Sequence, residues 1–147
     1  MRKLFLLALL FSAFMAGAQR SDETAIRQVI TESYIEGIQN GGSPEQIRKG
    51  FHPSFEMLRL MENDVKPYPI EEWIEALEKR KAESTTAQPK AEGKFINIDV
   101  TGTAAVVKLE LYRAGKKTFT DYLVLYNLMK VGKSLAKLSS AIASTTP

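Results

Sequence analysis

The sequence predicts one domain in which helices come first and an antiparallel β-meander last, a segregated order of the two element types. Two observations predict it. Apolar residues recur at three- and four-residue spacing from Ser21 to Asn40 and again around Trp73. From Lys94 the period changes to two and holds through Tyr126. At 147 residues with 44% hydrophobic content, the chain has enough apolar material for one core and shows no sign of a second domain.

The start of the chain stands apart. Arg2 and Lys3 precede the apolar run LFLLALLFSAF, and Ala16-Gly17-Ala18 precedes Gln19. A charged start, an apolar middle and a small-residue cut site are the layout of a secretory signal. Residues 1–18 are therefore expected to be cleaved off after Ala18, leaving a secreted or periplasmic protein. The apolar run falls short of the roughly 20 residues a membrane-spanning helix needs, so no stable membrane insertion is expected after cleavage. The absence of cysteine excludes disulfides, thiolate metal sites and a lipidated cysteine at the mature end.

Charge placement argues against nucleic acid as a partner. Without Arg2 and Lys3 the formal charge of +3 falls to +1, and Lys130, Lys133 and Lys137 more than account for it, so residues 19–127 sum to −2. No basic stripe interleaved with aromatics runs through that part.

The first helix is set by Ile26, Val29, Ile30, Tyr34 and Ile38, with Ser21 or Asp22 as cap and Asn40-Gly41-Gly42 as stop. A short second helix begins with Ser43 at the N-cap, Pro44 next and Gln46 completing a capping box, with Ile47 and Phe51 as its buried side. Pro53 ends it, because the residue before a proline is pushed out of the helical region. FEMLRLM reads as a strand. ENDVKPYP reads as a turn-rich stretch whose Pro67 and Pro69 exclude central pairing. Pro69 opens a third helix carrying Ile70, Trp73, Ile74 and Leu77 on one side, and AESTTAQPKAEG is a polar loop. KFINIDV, TAAVVKLELY and TFTDYLVLY follow as three strands, joined by turns at Thr101-Gly102 and RAGKK.

FHPSFEML, PIEEWIE, IDVTGTAAVVKLELY and TDYLVLY, in this order after two helices, resemble the nuclear transport factor 2-like superfamily, and within it the small secreted bacterial members of lumazine-binding type. The likeness covers Glu23 to Tyr126. It implies an α+β cone of the cystatin-like kind, in which a curved antiparallel β-sheet wraps three helices around an apolar pocket. It also implies a last strand with a Gly-Trp-Lys-Ile-like run inside the sheet, and this chain has YNLMKVGKSLAKLSSAIASTTP there instead. Met129 is encoded by ATG and Lys130 begins with AA, so the frame starting on each codon's third base reads Glu at that point. Suitable codons for Lys130 through Leu138 let that frame continue GWKIVSKI, although degeneracy also permits other strings. The expectation is a domain over residues 19–127 and an atypical tail over 128–147, the product of a frameshift, with the final strand missing or replaced. Leu128, Val131, Leu135, Leu138 and Ile142 are spaced for a weak helix.

Candidate chemistry is sparse. His52 is the only histidine, so a histidine metal cluster is excluded, and no Gly-x-Ser-x-Gly motif surrounds any serine; its plainest role is a structural hydrogen bond. Phe119, Asp121, Leu123 and Leu125 share one strand face, which places Asp121 at the pocket rim, where partial burial raises a carboxyl pKa and suits it to proton transfer. Asp121, His52 and Tyr34 are thus the weak catalytic candidates, set against an ordinary satisfied aspartate. Trp73, Tyr34, Phe55 and Tyr68 are candidates to stack a flat ring, set against plain core packing. Val107, Leu109 and Leu111 face the core, while Lys108, Glu110 and Tyr112 form an outer face that is either solvated or pairs two copies. The first expectation is a small apolar or aromatic ligand bound without a cofactor or metal. The alternatives are an isomerase, dehydratase or cyclase, and a dimerisation module.

Overall fold

A computed structural model describes residues 22–86, 88–130 and 133–145; the leader and Ser21 lie outside them. The described residues form three helices and a six-stranded sheet. In chain order these are α1 (22–39), α2 (Pro44–Gly50), β1 (Phe51–Met61), β2 (Asp64–Pro69), α3 (Ile70–Glu83), β3 (Ala91–Thr101), β4 (Ala104–Arg113), β5 (Lys116–Lys130) and β6 (Lys133–Thr145). The strand order is β2-β1-β6-β5-β4-β3. Every pairing is antiparallel except β1–β6, which is parallel.

The meander follows the period-two pattern. Val107, Leu109 and Leu111 of β4 and Leu123 and Leu125 of β5 are buried, and the residues between them face outward or are half-covered. Register shifts in the β1–β6, β3–β4, β4–β5 and β5–β6 ladders insert unpaired residues, such as Ile96 in β3 and Thr118 in β5, that bend the strands. The helices cover one face of the sheet, and Ile30, Ile47, Phe55, Ile70 and Leu138 join the strand residues in a single core.

Four readings are corrected. The tail does not take the weak helix its spacing suggests: Lys133–Thr145 forms β6 in the middle of the sheet, between β1 and β5, so of the two expectations for the final strand, missing or replaced, the first is overturned. A strand wedged between two others gains ladder hydrogen bonds on both sides, and that outweighs a weak helical spacing. ENDVKPYP is not only a turn: Glu62 and Asn63 both take positive φ, the geometry of a tight hairpin turn, and Asp64–Pro69 pairs back on β1 as an edge strand, where its prolines are tolerated. Phe51 is buried as expected but opens β1 instead of closing α2. Gln46 completes only half of the capping box: its backbone N–H donates to Ser43 Oγ, while its side-chain amide donates to the Glu32 carbonyl at 2.7 Å and ties α2 to α1.

The two helices approach closely at Gly50, where a β-carbon would overlap the Ser33 side chain. Ser33 in turn donates from its hydroxyl to the Gln46 carbonyl at 3.0 Å. This contact fixes how α1 lies over the sheet, and through it the position of Tyr34.

Candidate functional site

The second half of α1, Ile30–Gln39, is wound as a π-helix, with Asn40 N–H reaching back five residues to the Ile35 carbonyl at 2.9 Å. The wider turn rotates less per residue than an α-helix, so Tyr34 and Ile35 both stay on the inward side, and both are buried. Tyr34 Oη donates to Asp121 Oδ2 on β5 at 2.7 Å. Burial first, then the charge of Asp121 and the hydrogen bond to it, push the Tyr34 phenol well above its usual pKa, with Gln39 pulling slightly the other way. Tyr34 is therefore a neutral donor to a buried acceptor.

The polar chain continues outward. Gln39 Nε2 donates to Tyr34 Oη at 3.2 Å. The Gln39 side-chain oxygen accepts from Arg113 at 3.3 Å, and its backbone carbonyl accepts from the same guanidinium at 2.6 Å. A second Arg113 nitrogen donates to the Pro89 carbonyl at 2.6 Å. Asp121, Tyr34, Gln39 and Arg113 thus run from the core to the surface.

That chain surfaces in a cleft of about 790 Å³ between the end of α1, the last turns of α3, the loop before β3 and the β4–β5 end. Trp73, Leu77 and Phe119 supply its apolar wall, and Arg80, Lys81, Lys90 and Arg113 its charge. Trp73 is held by edge contacts with Tyr34 at 6.2 Å and Phe51 at 6.5 Å between ring centroids, a packing that fixes the indole plane. A smaller hollow of about 250 Å³ near the start of α1 is lined by small residues such as Ala25, Gly102 and Ala104 together with Ile26, Val100, Leu125 and Tyr126, and offers neither an indole nor a cluster of like charges. Among the described residues, no group of three His, Cys, Asp or Glu side chains converges to hold a metal ion, and no helix is long and apolar enough to cross a membrane.

Residues 21–137 match the sequence profile of the family described as "putative lumazine-binding". The chain belongs to that family. As a lumazine-binding-type chain it has the nuclear transport factor 2-like fold that its structural neighbours share. One is an NTF2-like protein of unknown function from Shewanella baltica, with 21% identity, a TM-score of 0.65 and coverage of 86% of this chain and 96% of that one. Another, from Silicibacter pomeroyi, is 15% identical with a TM-score of 0.67, covering 86% and 98%. A cystatin-like domain of unknown function from Nostoc punctiforme is 15% identical with a TM-score of 0.61, covering 86% and 78%. Comparison with curated proteins gave no match.

In this lumazine-binding-type domain, the residues singled out from sequence scatter over three environments. Trp73 reaches the wall of the cleft but is only 9% exposed, so most of the indole belongs to the core. Tyr34 and Asp121 meet, but beneath the cleft: Asp121 is 4% exposed, so it is a core residue and not a rim residue. Phe55 is fully covered, packed edge-on to Phe51 at 4.7 Å. Tyr68 lies beside Trp73 at 6.3 Å and beneath the Arg59 guanidinium at 3.9 Å, outside the cleft lining. His52 hydrogen-bonds to Ser54 at 2.7 Å within β1, apart from the Tyr34–Asp121 pair. Sequence reasoning missed Gln39, Arg113 and the basic end of α3. A net charge summed over the whole domain hides a local cluster. The one signal was the basic triplet Lys79-Arg80-Lys81 in the last helical turn.

Proposed function

We propose that this protein is a non-catalytic binding module for a small molecule with a flat ring, which lies against Trp73 in the cleft. The observation that carries this reading is the arrangement of one rigidly packed indole, Leu77 and Phe119 on the wall of an open cleft, with polar groups around its rim. The buried pair of titratable groups supports binding over proton transfer, because Tyr34 and Asp121 satisfy each other under a covered surface. A substrate proton has no direct approach to either. Titration of the protein with pteridines, flavins and sterols tests the reading, since Trp73 is the only tryptophan and its emission reports cleft occupancy. Quenching together with a raised melting temperature is the expected result. Silence in both readouts across all three ligand classes counts against it.

Export belongs to the same proposal. The leader over residues 1–18 sends the domain out of the cytoplasm, and the mature N-terminus measured on protein from the cell envelope or medium should be Gln19. A frameshift at the end of the coding sequence is likewise proposed, on the strength of the GWKIVSKI reading. The DNA should spell Trp and Ile in the third-base frame across Lys130 to Leu138, and codons that allow neither residue would remove the idea.

A second reading, self-association, has its own observation. Val106, Tyr122 and Tyr126 are exposed on neighbouring positions of β4 and β5, on the outer sheet face. Sedimentation at increasing concentration distinguishes a dimer from a monomer, and a Tyr122→Glu variant should shift that equilibrium toward monomer.

A further inference from the structure

We infer that the ligand of this cleft is an anion: a flat ring that carries a carboxylate or another acidic group. The inference rests on the reading of the cleft as a ligand site and adds the charge of what fills it.

Four cationic side chains, Arg80, Lys81, Lys90 and Arg113, line the cleft, and no aspartate or glutamate does. They come from three separate parts of the fold: the end of α3, the loop before β3 and the end of β4. The rest of the domain makes this concentration unusual, because residues 19–127 carry a net charge of −2. Elsewhere on the surface of the described residues three cations are paired, Arg48 with Glu71 at 2.7 Å, and Lys49 with Glu45 and Lys117 with Glu110, each at 3.4 Å, while others such as Lys66 and Lys79 stand singly on the outside and share no concave surface with like charges. None of the four cleft cations has a carboxylate within ion-pair distance among the described residues.

The simplest competing account is that basic residues favour the last turn of a helix because they complement its dipole. It covers Arg80 and Lys81 and fails for Lys90 and Arg113, which lie on other elements. Arg113 is also held in place. Its guanidinium donates to the Gln39 and Pro89 carbonyls, both neutral oxygens, and so keeps its full charge while losing its freedom to move. Lys81 Nζ is similarly tethered to the Gly41 carbonyl at 3.2 Å. Fixed like charges around a concave, partly apolar surface focus a positive potential into it. An acidic group there gains charge-assisted hydrogen bonds while the attached ring lies on Trp73 and Phe119.

The test is a calorimetric titration of the full chain with three probes of one shape: 2-naphthoate, its neutral amide 2-naphthamide, and 2-naphthylmethylammonium. The acid should bind about tenfold more tightly than the amide, the cation should be weakest, and added salt should shrink the gap. Arg113 also braces the end of α1, so the diagnostic variant is the double substitution K81Q/K90Q at two exposed lysines. It should leave the melting temperature unchanged, reduce the preference for the acid severalfold and spare the amide. Equal binding of acid and amide overturns the anion inference and leaves the ligand site standing. A preference that survives in K81Q/K90Q, in R80Q and in an R113Q variant whose circular dichroism shows it folded overturns it too, because the charge would then be read elsewhere. No binding of any probe removes both the inference and the site.

Discussion

Tyr34 on α1 and Asp121 on β5 share a 2.7 Å hydrogen bond across 87 positions of sequence, and each is almost completely buried. The bond pins the helix that forms one side of the cleft to the strand that underlies it. It also explains how a carboxylate sits among Leu109, Leu123 and Leu125 without opening the core: a polar group deep in apolar surroundings is tolerated when its hydrogen bonds are made.

Removing the donor should therefore cost stability. Tyr34→Phe keeps the ring and its contacts with Phe51 and Trp73 but deletes the hydroxyl that faces Asp121. The expected loss is about 2 kcal/mol, since a hydrogen bond to a charged acceptor exceeds a neutral one. Urea unfolding of the two proteins measures it, and an unchanged midpoint would mean that the pair contributes nothing.

The same pair predicts a response to alkali. The Tyr34 pKa is raised in the folded protein above its ordinary value of 10.0. The native state therefore keeps a proton that the unfolded state gives up. The contribution is fully present below about pH 10 and is lost as the pH rises from there through the folded-state value. Unfolding midpoints taken across that range should fall more steeply for the wild type than for Tyr34→Phe. Parallel pH profiles would show that the phenol keeps an unperturbed pKa.

Much of the fold was legible because its residues state their environment locally. The alternation of Val107, Leu109 and Leu111 with Lys108 and Glu110 marks a strand with one buried face, and Ser43-Pro44 marks a helix start. Asn40-Gly41-Gly42 marks a helix end, with Gly41 at φ 72°. What was not legible depends on partners distant in sequence. Asp64–Pro69 becomes a strand only because β1 lies beside it, and Lys133–Thr145 only because a slot between β1 and β5 receives it. The site behaves the same way. Trp73 announced itself by type, whereas Gln39 and Arg113 matter only because α1 ends where β4 ends.

Gly50 offers a test of the helix packing that places Tyr34. A β-carbon at that position would run into both Cβ and Oγ of Ser33; Cβ is fixed by the backbone of α1, and Oγ can rotate away only by giving up its hydrogen bond to the Gln46 carbonyl. Gly50→Ala should therefore destabilise by about 2 kcal/mol, as overpacking does in a close-packed interior. Pairing it with Ser33→Gly should recover most of the loss, because the second change clears the space. Failure of the double variant to recover would place the strain elsewhere.

The last strand carries the heaviest structural demand. Leu138 is fully buried in β6, and its Cα pairs with those of Phe51 on one side and Leu125 on the other. Leu138→Ala should cost about 3 kcal/mol by leaving a cavity that neither neighbouring strand can close. A chain ending at Asn127 should do worse, because losing β6 exposes the facing edges of β1 and β5 together with the apolar residues beneath them. Aggregated or unfolded product from the truncated chain, beside a folded but weakened Leu138→Ala variant, is the expected pair of outcomes. If the truncated chain instead stayed soluble with the wild-type melting temperature, the tail would be dispensable, and β1 and β5 would have to satisfy their edges without it.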